Sequence, residues 1–336
     1  MNDAARRRVF SGIQPTGELH LGNYLGAIRN WVDLQAEHDS FFCIVNLHAL
    51  TLPWDAASLE AQTLRTAASV VACGVDPDRA CLFVQSDVAE HAELAWVFNC
   101  IARMGELRRM IQFKEKSRGE TESVGVGLFT YPVLQAADVL LYQAHGVPVG
   151  EDQRQHIELM RDIAGRFNQM FGETFVVPEA FIPPAGARVM SLDDPAQKMS
   201  KSAGRPNSSV LLTDPPEAVA KKIRSAVTDS GREVRAGEDK PALTNLLTIY
   251  SAVTGTPVAA LEERFATTGY GDFKAAMGDE VAATLEPIRA RYRELMADPG
   301  ALAGLLATGA ERARQVARTT MAAVRARTGV GSRAAE

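Results

Sequence analysis

The sequence predicts an α/β protein: a Rossmann-like parallel sheet followed by a helical C-terminal module. Three observations carry this. Short, largely apolar stretches such as Phe41–Leu47 alternate with amphipathic helical stretches in the first half of the chain, the order that a right-handed parallel sheet requires. Strand signals vanish beyond about residue 200, where only helical periodicity remains. The 336 residues are enough for two domains with a large core.

Arg8–Ile13 reads as the first strand, ending in the loop Gln14–Leu19, after which Leu21, Leu25, Ile28 and Val32 recur at helical spacing. Phe41–Leu47 is apolar on both faces, as a strand buried in a parallel sheet must be. An amphipathic helix over about 57–73 stops at Gly74 and Pro77, and Cys81–Gln85 reads as a third strand. Helices are expected over about 88–103 and 105–116, then a glycine-containing polar loop over 117–127. Helical spacing returns over 129–143; Val147–Val149 reads as a short strand, and Gly150–Gln153 opens a helix to about 171. A strand is expected at Ala187–Met190, before the stretch Lys198-Met199-Ser200-Lys201-Ser202. Asp214 reads as the N-cap of a helix over about 215–229. Further helices are expected near 242–254, 257–266, 272–297 and 300–327. Domain limits of 1–200 and 201–330 follow, with the last helix free to pack back on the first domain.

Composition excludes several classes. At 46% hydrophobic and 23% charged, with no apolar run of spanning length, the chain reads as a soluble protein without a membrane segment. MNDAARRRVF has no apolar signal core, so a cytoplasmic setting is expected. Cys43, Cys73, Cys81 and Cys100 show no C-x-x-C spacing and read as buried thiols, not metal ligands. Net charge is -5, unevenly spread: residues 1–190 hold 16 basic against 23 acidic residues, and residues 191–336 hold 20 against 18. A polyanion would favour the C-terminal half. The arginines of the last helix (Arg312, Arg314, Arg318, Arg325, Arg327) read most simply as a solvated face, with an RNA contact as the alternative.

Two stretches carry chemistry. Lys198 and Lys201 lie three residues apart among small hydroxyls, near Gly204 and Pro206. Such point charges suit a polyanion whose charge moves during reaction. Thr16 to Asn23 lies between the first strand and first helix, where a parallel sheet binds its ligands. Gly22 lets a nucleotide lie against the backbone, and His20 and Asn23 can donate hydrogen bonds to it. No Walker loop or G-x-G-x-x-G is present. Asp138, enclosed by Ala136, Ala137, Val139 and Leu140, is a carboxylate that burial would penalise unless paired.

His20-Leu21-Gly22-Asn23 paired with Lys198-Met199-Ser200-Lys201-Ser202 resembles the two signatures of class I aminoacyl-tRNA synthetases. Phe10–Gly26, Gly150–Leu159, Gly186–Leu192, Val227–Ser230 and Asn245–Leu247 narrow the resemblance to the bacterial tryptophanyl-tRNA synthetase family. Asn23 stands where the general signature has His, which is usual in this family, and Gln135 stands where its members often have Met.

The resemblance implies L-tryptophan, ATP, Mg²⁺ and tRNA(Trp) as substrates and partners, a homodimer, and an anticodon-reading role for the helical module. It implies ATP contacts at Gln14, Pro15, Thr16, Gly22, Asn23, Gly150, Glu151, Asp152, Val189, Lys198, Met199, Ser200, Lys201 and Ser202. Lys198, Lys201, Lys116 and His20 are the implied catalytic set. Asp138 would accept the indole N–H, with Phe10, Gly12, His48, Val147, Val149 and Gln153 completing the pocket. The dimer surface would come from helices near 88–113, rich in Leu94, Trp96, Val97, Phe98, Met104 and Met110, although those residues suit a monomeric core equally. Alternatives left open are a tyrosyl-tRNA synthetase, a non-catalytic RNA-binding paralogue and a small-molecule nucleotidyltransferase.

Overall fold

The structure, a computed structural model, describes residues 6–110, 125–150, 153–181, 188–199, 205 and 207–331. A parallel sheet forms from β1 (Arg8–Ile13), β2 (Asp39–Ile44), β3 (Cys81–Val84), β4 (Gly146–Pro148) and β5 (Glu179–Phe181), in the order β3-β2-β1-β4-β5. Side chains alternate across it. Phe42, Ile44, Leu82 and Val84 join the core on one face, and Phe41, Cys43, Cys81 and Phe83 join the core on the other. Both faces are covered, which accounts for the uninterrupted apolar runs.

The first face receives α1 (Leu21–Asn23), which continues through a π turn (Tyr24–Ile28) into α2 (Arg29–Glu37), and α4 (Ala56–Ala72). Trp31 of α2 stacks on Phe42 with ring centres 4.5 Å apart. Helices α9 (Pro216–Arg224), α10 (Pro241–Thr254), α11 (Val258–Arg264) and α12 (Tyr270–Ala297) extend this same core. The opposite face receives α5 (Glu90–Asn99), α6 (Met104–Arg108), α7 (Val126–Leu140), α8 (Arg154–Phe171) and the second half of α13 (Pro299–Thr328). Short α3 (Asn46–Ala49) follows β2. Among the described residues no helix is long and apolar enough to cross a membrane.

Several expectations change. β2 ends at Ile44, because the Gln85 side chain captures the Leu47 N–H (3.0 Å) and the chain turns into α3. β5 carried no clear signal; it is three residues long and half-exposed. Arg188–Met190 is not a strand of the sheet: Met190 forms an isolated antiparallel bridge with Lys198, and Ala187 lies outside the described residues. Pro215, not Asp214, caps α9; the Asp214 carboxylate instead accepts from Lys222 Nζ (2.6 Å) and the Leu211 N–H (2.7 Å). Cys100 is exposed, while the other three thiols are buried.

The arginines of α13 do face solvent, Arg312, Arg318 and Arg327 exposed and Arg314 and Arg325 half-buried, and they also tie the helix down. Arg312 donates to the Pro77 carbonyl (2.8 Å), Arg314 to that of Asp87 (2.6 Å) and Arg327 to that of Phe171 (3.1 Å). Arg325 pairs with Glu93 (2.7 Å) and Arg318 lies 3.9 Å from Glu90. Between these contacts Ala310, Ala313 and Ala317 let the helix lie close against β3. A Cβ on Gly309 would collide with the Leu82 carbonyl, and the Cys81 thiol donates to the Gly309 carbonyl at 3.2 Å. Thus α13 seals the outer edge of the sheet, where an unpaired strand would otherwise be open.

Candidate active site

The two signature stretches meet above the carboxyl end of β1. The loop after β1 turns at Gly17, whose φ of 75° suits glycine, and its N–H donates to Gln62 Oε1 (3.3 Å). His20 then caps α1: its Nδ1 accepts from the Asn23 N–H (3.3 Å), while Asn23 Oδ1 accepts from the His20 N–H (3.0 Å). This reciprocal cap fixes the start of the helix that follows the loop. Leu19 and Leu21 pair with residues downstream of the lysine stretch: the Leu212 N–H donates to the Leu19 carbonyl (2.9 Å) and the Leu21 N–H to that of Val210 (2.8 Å). A Cβ on Gly22 would lie 3.0 Å from the His20 ring and 3.4 Å from Met199 Cβ. Glycine is needed there because both signatures close on it.

Lys198 and Met199 form one arm of a small antiparallel turn. The Met199 N–H donates to the Val189 carbonyl (3.0 Å) and the Ser191 N–H to that of Gln197 (2.8 Å). Val189 and Met199 are buried and anchor the turn, leaving Lys198 exposed. Asn245 of α10 grips Met190 like a neighbouring strand, accepting its N–H at 2.8 Å and donating to its carbonyl at 3.0 Å. Gln14, Thr16 and Gly150 are exposed and Pro15 is buried. Gln153 begins α8, its N–H bonded to the Gly150 carbonyl at 3.0 Å. Lys116, Glu151, Asp152, Ser200, Lys201 and Ser202 lie outside the described residues.

Around Asp138 the arrangement is closed. This side chain of α7 is 1% exposed. Among the described residues it takes three donors: His48 Nε2 on Oδ2, and Gln85 Nε2 and His91 Nδ1 on Oδ1, each at 2.7 Å. Burial pushes the carboxyl upward, but His48 and His91 more than offset it and hold it well below the usual carboxylate range. His91 Nε2 lies 2.7 Å from the Tyr142 hydroxyl, a phenol that burial pushes well above its ordinary value. Each donor stands on a different element: His48 on α3, Gln85 just past β3, His91 on α5.

The expected pocket residues separate into two groups. Asp138 and His48 are bonded directly. Gly12 faces Val45, whose Cγ1 would lie 2.7 Å from an added Cβ, so only glycine lets the two strands' ends close. Phe10 is buried and stacks on Tyr142 at 5.5 Å, supporting the pocket from beneath. Val147 is buried on β4, and Val149 beyond it packs against the same core. Gln135 is half-buried one turn before Asp138. Gln85, His91, Tyr142 and Tyr131 were not anticipated. Tyr131 lies two turns before Asp138 on α7, a spacing that signals a shared face; its hydroxyl is 3.0 Å from His156 Nε2. Burial pushes that phenol up to about 12.

A separate apolar cleft of about 280 Å³ opens beside α3, lined by Leu47, Leu50, Trp96, Tyr131 and Leu134 among others. Leu94, Phe98 and Met110 belong to the core, whereas Trp96 is 71% exposed and Met104 is also exposed. Val97 is half-buried against the same core, so the core reading holds for Leu94, Phe98 and Met110, while Trp96 and Met104 face outward.

Residues 2–286 match the family of class I tRNA synthetases for tryptophan (W) and tyrosine (Y). A tryptophan–tRNA ligase of Wolinella succinogenes is 50% identical over 325 residues, covering 97% of this chain and 99% of that protein. The tryptophanyl-tRNA synthetase of Mycoplasma pneumoniae superposes with a TM-score of 0.88 at 37% identity, covering 97% of this chain and 99% of that one. That of Campylobacter jejuni, in complex with ADP and tryptophan, superposes with a TM-score of 0.83 at 36% identity, covering 96% and 99%.

Proposed function

The chain belongs to the class I tRNA synthetases for tryptophan and tyrosine, and on that premise we propose its reaction and the residues that carry it. It is an ATP-dependent ligase that joins L-tryptophan to tRNA(Trp). The tryptophan carboxylate attacks the α-phosphorus of ATP, the bond to the β-phosphate oxygen breaks, and pyrophosphate leaves. A ribose hydroxyl at the 3′ end of the tRNA then attacks the activated carbonyl and AMP leaves. Relatives near half identity act on tryptophan by name, which sets the tyrosine alternative aside.

The observation that carries the amino-acid reading is the buried, ionised Asp138. An ionised carboxylate offers about four acceptor positions, and three are filled. The fourth, on Oδ2, is assigned to the indole N–H. Phenylalanine would leave that acceptor buried and unmet, so rejection follows from hydrogen bonding as well as shape. Gly12, Val147, Val149, Gln153 and His48 enclose the ring and the amino-acid end.

At the other end Gln14, Pro15, Thr16, Gly22 and Asn23 take ATP from the first-loop side, and Gly150, Glu151, Asp152, Val189 and Met199 take the adenosine. Lys198, Lys201 and Lys116, with His20, Ser200 and Ser202, meet the charge that builds on the phosphates, so the step runs on positioning and electrostatics without a protein nucleophile. Mg²⁺ is assigned to the nucleotide. Among the described residues no group of three or more His, Cys, Asp or Glu side chains gathers to hold a metal; its oxygen ligands would be triphosphate and water. The helical region 201–330 is proposed to read the tRNA anticodon. A second copy of this chain is the proposed occupant of the cleft beside Trp96, in a cytoplasmic homodimer.

The test is amino-acid-dependent ATP–pyrophosphate exchange with tryptophan and tyrosine offered separately. Exchange with tryptophan alone is expected. Exchange with tyrosine alone would overturn the pocket and keep the phosphate end. Absence of exchange from well-folded protein would point to the RNA-binding alternative.

A further inference from the structure

His91 and Tyr142 are fully buried and belong to none of the sequence signatures; together they pack among Phe10, Phe41 and Phe83, and both also carry polar atoms that packing does not explain. Their geometry is that of a relay. Asp138, held ionised, can only accept, so the hydrogen between it and His91 sits on Nδ1. With His91 as the neutral ring, Nε2 is its acceptor, and the Tyr142 hydroxyl 2.7 Å away donates to it. The imidazole ring is thereby locked in one tautomer and one orientation, and Phe83 lies tilted against it with ring centres 6.0 Å apart.

The consequence falls on the carboxylate. Gln85 and His91 together occupy both acceptor positions of Oδ1, which stops rotation of the group about its Cβ–Cγ bond. Oδ2 is then presented with His48 on one side and one position still to fill. Gln85 also accepts the Leu47 N–H at 3.0 Å, so the clamp fixes the helix that carries His48. We propose that His91 and Tyr142 are positioning residues for amino-acid selection: a Tyr142–His91–Asp138 relay aims one carboxylate oxygen at the single N–H donor of the substrate ring. This rests on the assignment of Asp138 to the indole.

The experiment is steady-state exchange kinetics on His91→Leu, His91→Asn, Tyr142→Phe and Asp138→Asn, with thermal unfolding of each. Loss of the Nδ1 donor in His91→Leu is expected to raise the tryptophan KM about tenfold, with kcat and the ATP KM within about twofold of the parent. Asparagine places an amide N–H where Nδ1 stands, so His91→Asn should return to within about threefold of the parent. Tyr142→Phe, which removes only the far end of the relay, should raise the tryptophan KM about threefold. Equal behaviour of the Leu and Asn variants, or parallel rises in the ATP and tryptophan KM, would overturn the relay and leave a packing role. If His91→Leu does not fold, Tyr142→Phe decides, and an unchanged tryptophan KM there overturns it. A parental Asp138→Asn would bring down the pocket reading itself; a defective Asp138→Asn beside a parental His91→Leu would bring down the relay alone.

Discussion

The two ends of the proposed site, one assigned to the indole and one to the phosphates, are built on opposite physical plans. At the indole end, one carboxylate is withdrawn from water and met by three side-chain donors from three elements. At the phosphate end, Lys198 is exposed on a turn whose backbone alone is anchored, through Val189, Met199 and the Asn245 grip on Met190. Selection between similar rings rewards a rigid, desolvated hydrogen bond, since an unmet buried group is costly. Stabilising a leaving pyrophosphate rewards compact charges that can follow a shifting target. One end spends its interactions on fixing atoms before substrate arrives, and the other keeps them for the reaction.

Four experiments sharpen or break that contrast. The largest effect is expected at the phosphate end: Lys198→Ala should lower kcat of pyrophosphate exchange about a hundredfold while the tryptophan KM and thermal stability stay near the parent's. A marked fall in melting temperature there would mean that the lysine is structural. Next comes Asp138→Ala, which should raise the tryptophan KM about tenfold to a hundredfold. It should also lower the melting temperature, because His48, Gln85 and His91 lose their acceptor at about 1–3 kcal/mol each. An unchanged tryptophan KM would sink the pocket assignment.

Asn245→Leu tests the join between the two plans. Releasing Met190 should lower kcat about fivefold and destabilise by about 1–3 kcal/mol, with little change in the tryptophan KM. A rise confined to the tryptophan KM would contradict the separation of the two ends.

The smallest effect concerns acid. The folded carboxyl of Asp138 lies below its unfolded value, so its stabilisation is complete above the unfolded pKa of about 4 and is lost as pH falls through the folded one. The stability gap between parent and Asp138→Asn should therefore hold steady down to about pH 5 and narrow progressively below it, as read by denaturant unfolding. A gap that widens on acidification would mean that the carboxyl is protonated in the native state.

The strands and helices were legible wherever burial imposes a repeating pattern. β1, β3, α4 and the helices α9 to α13 fell near their expected places because long apolar periodicities survive local detail. β5 and the Arg188–Met190 stretch failed for the converse reason: three-residue pairings are settled by neighbours in space, and no pattern that short records them. Asp138 was visible because a charge among alanines and leucines demands an explanation. Its partners Gln85 and His91 were not, standing 53 and 47 residues away as ordinary polar residues at the ends of elements. Fold alone brings them together. The arginines of α13 were legible as a solvated face, but not their second role, because helical spacing of charges looks the same whether or not a row of carbonyls stands within reach. The alanines at 310, 313 and 317, with Gly309, were the available sign of a close-packed face.

That close packing sets the order in which the molecule can mature. Gly309 and Leu82 touch across more than two hundred residues of chain, so during synthesis the outer strand of the sheet waits uncovered until the helix carrying Gly309 has left the ribosome. During that interval Cys81–Val84 has an open edge, which is expected to make the unfinished chain prone to pairing with other strands. A chain stopped at Ala297 would contain every residue assigned to catalysis here and is expected to be aggregation-prone and inactive in pyrophosphate exchange, with recovery when the Pro299–Thr328 helix is supplied as a separate peptide. A soluble, active truncation would show that the edge needs no cover. If the expectation holds, an enzyme that serves translation stays inert until the ribosome has passed the helix that closes its own sheet.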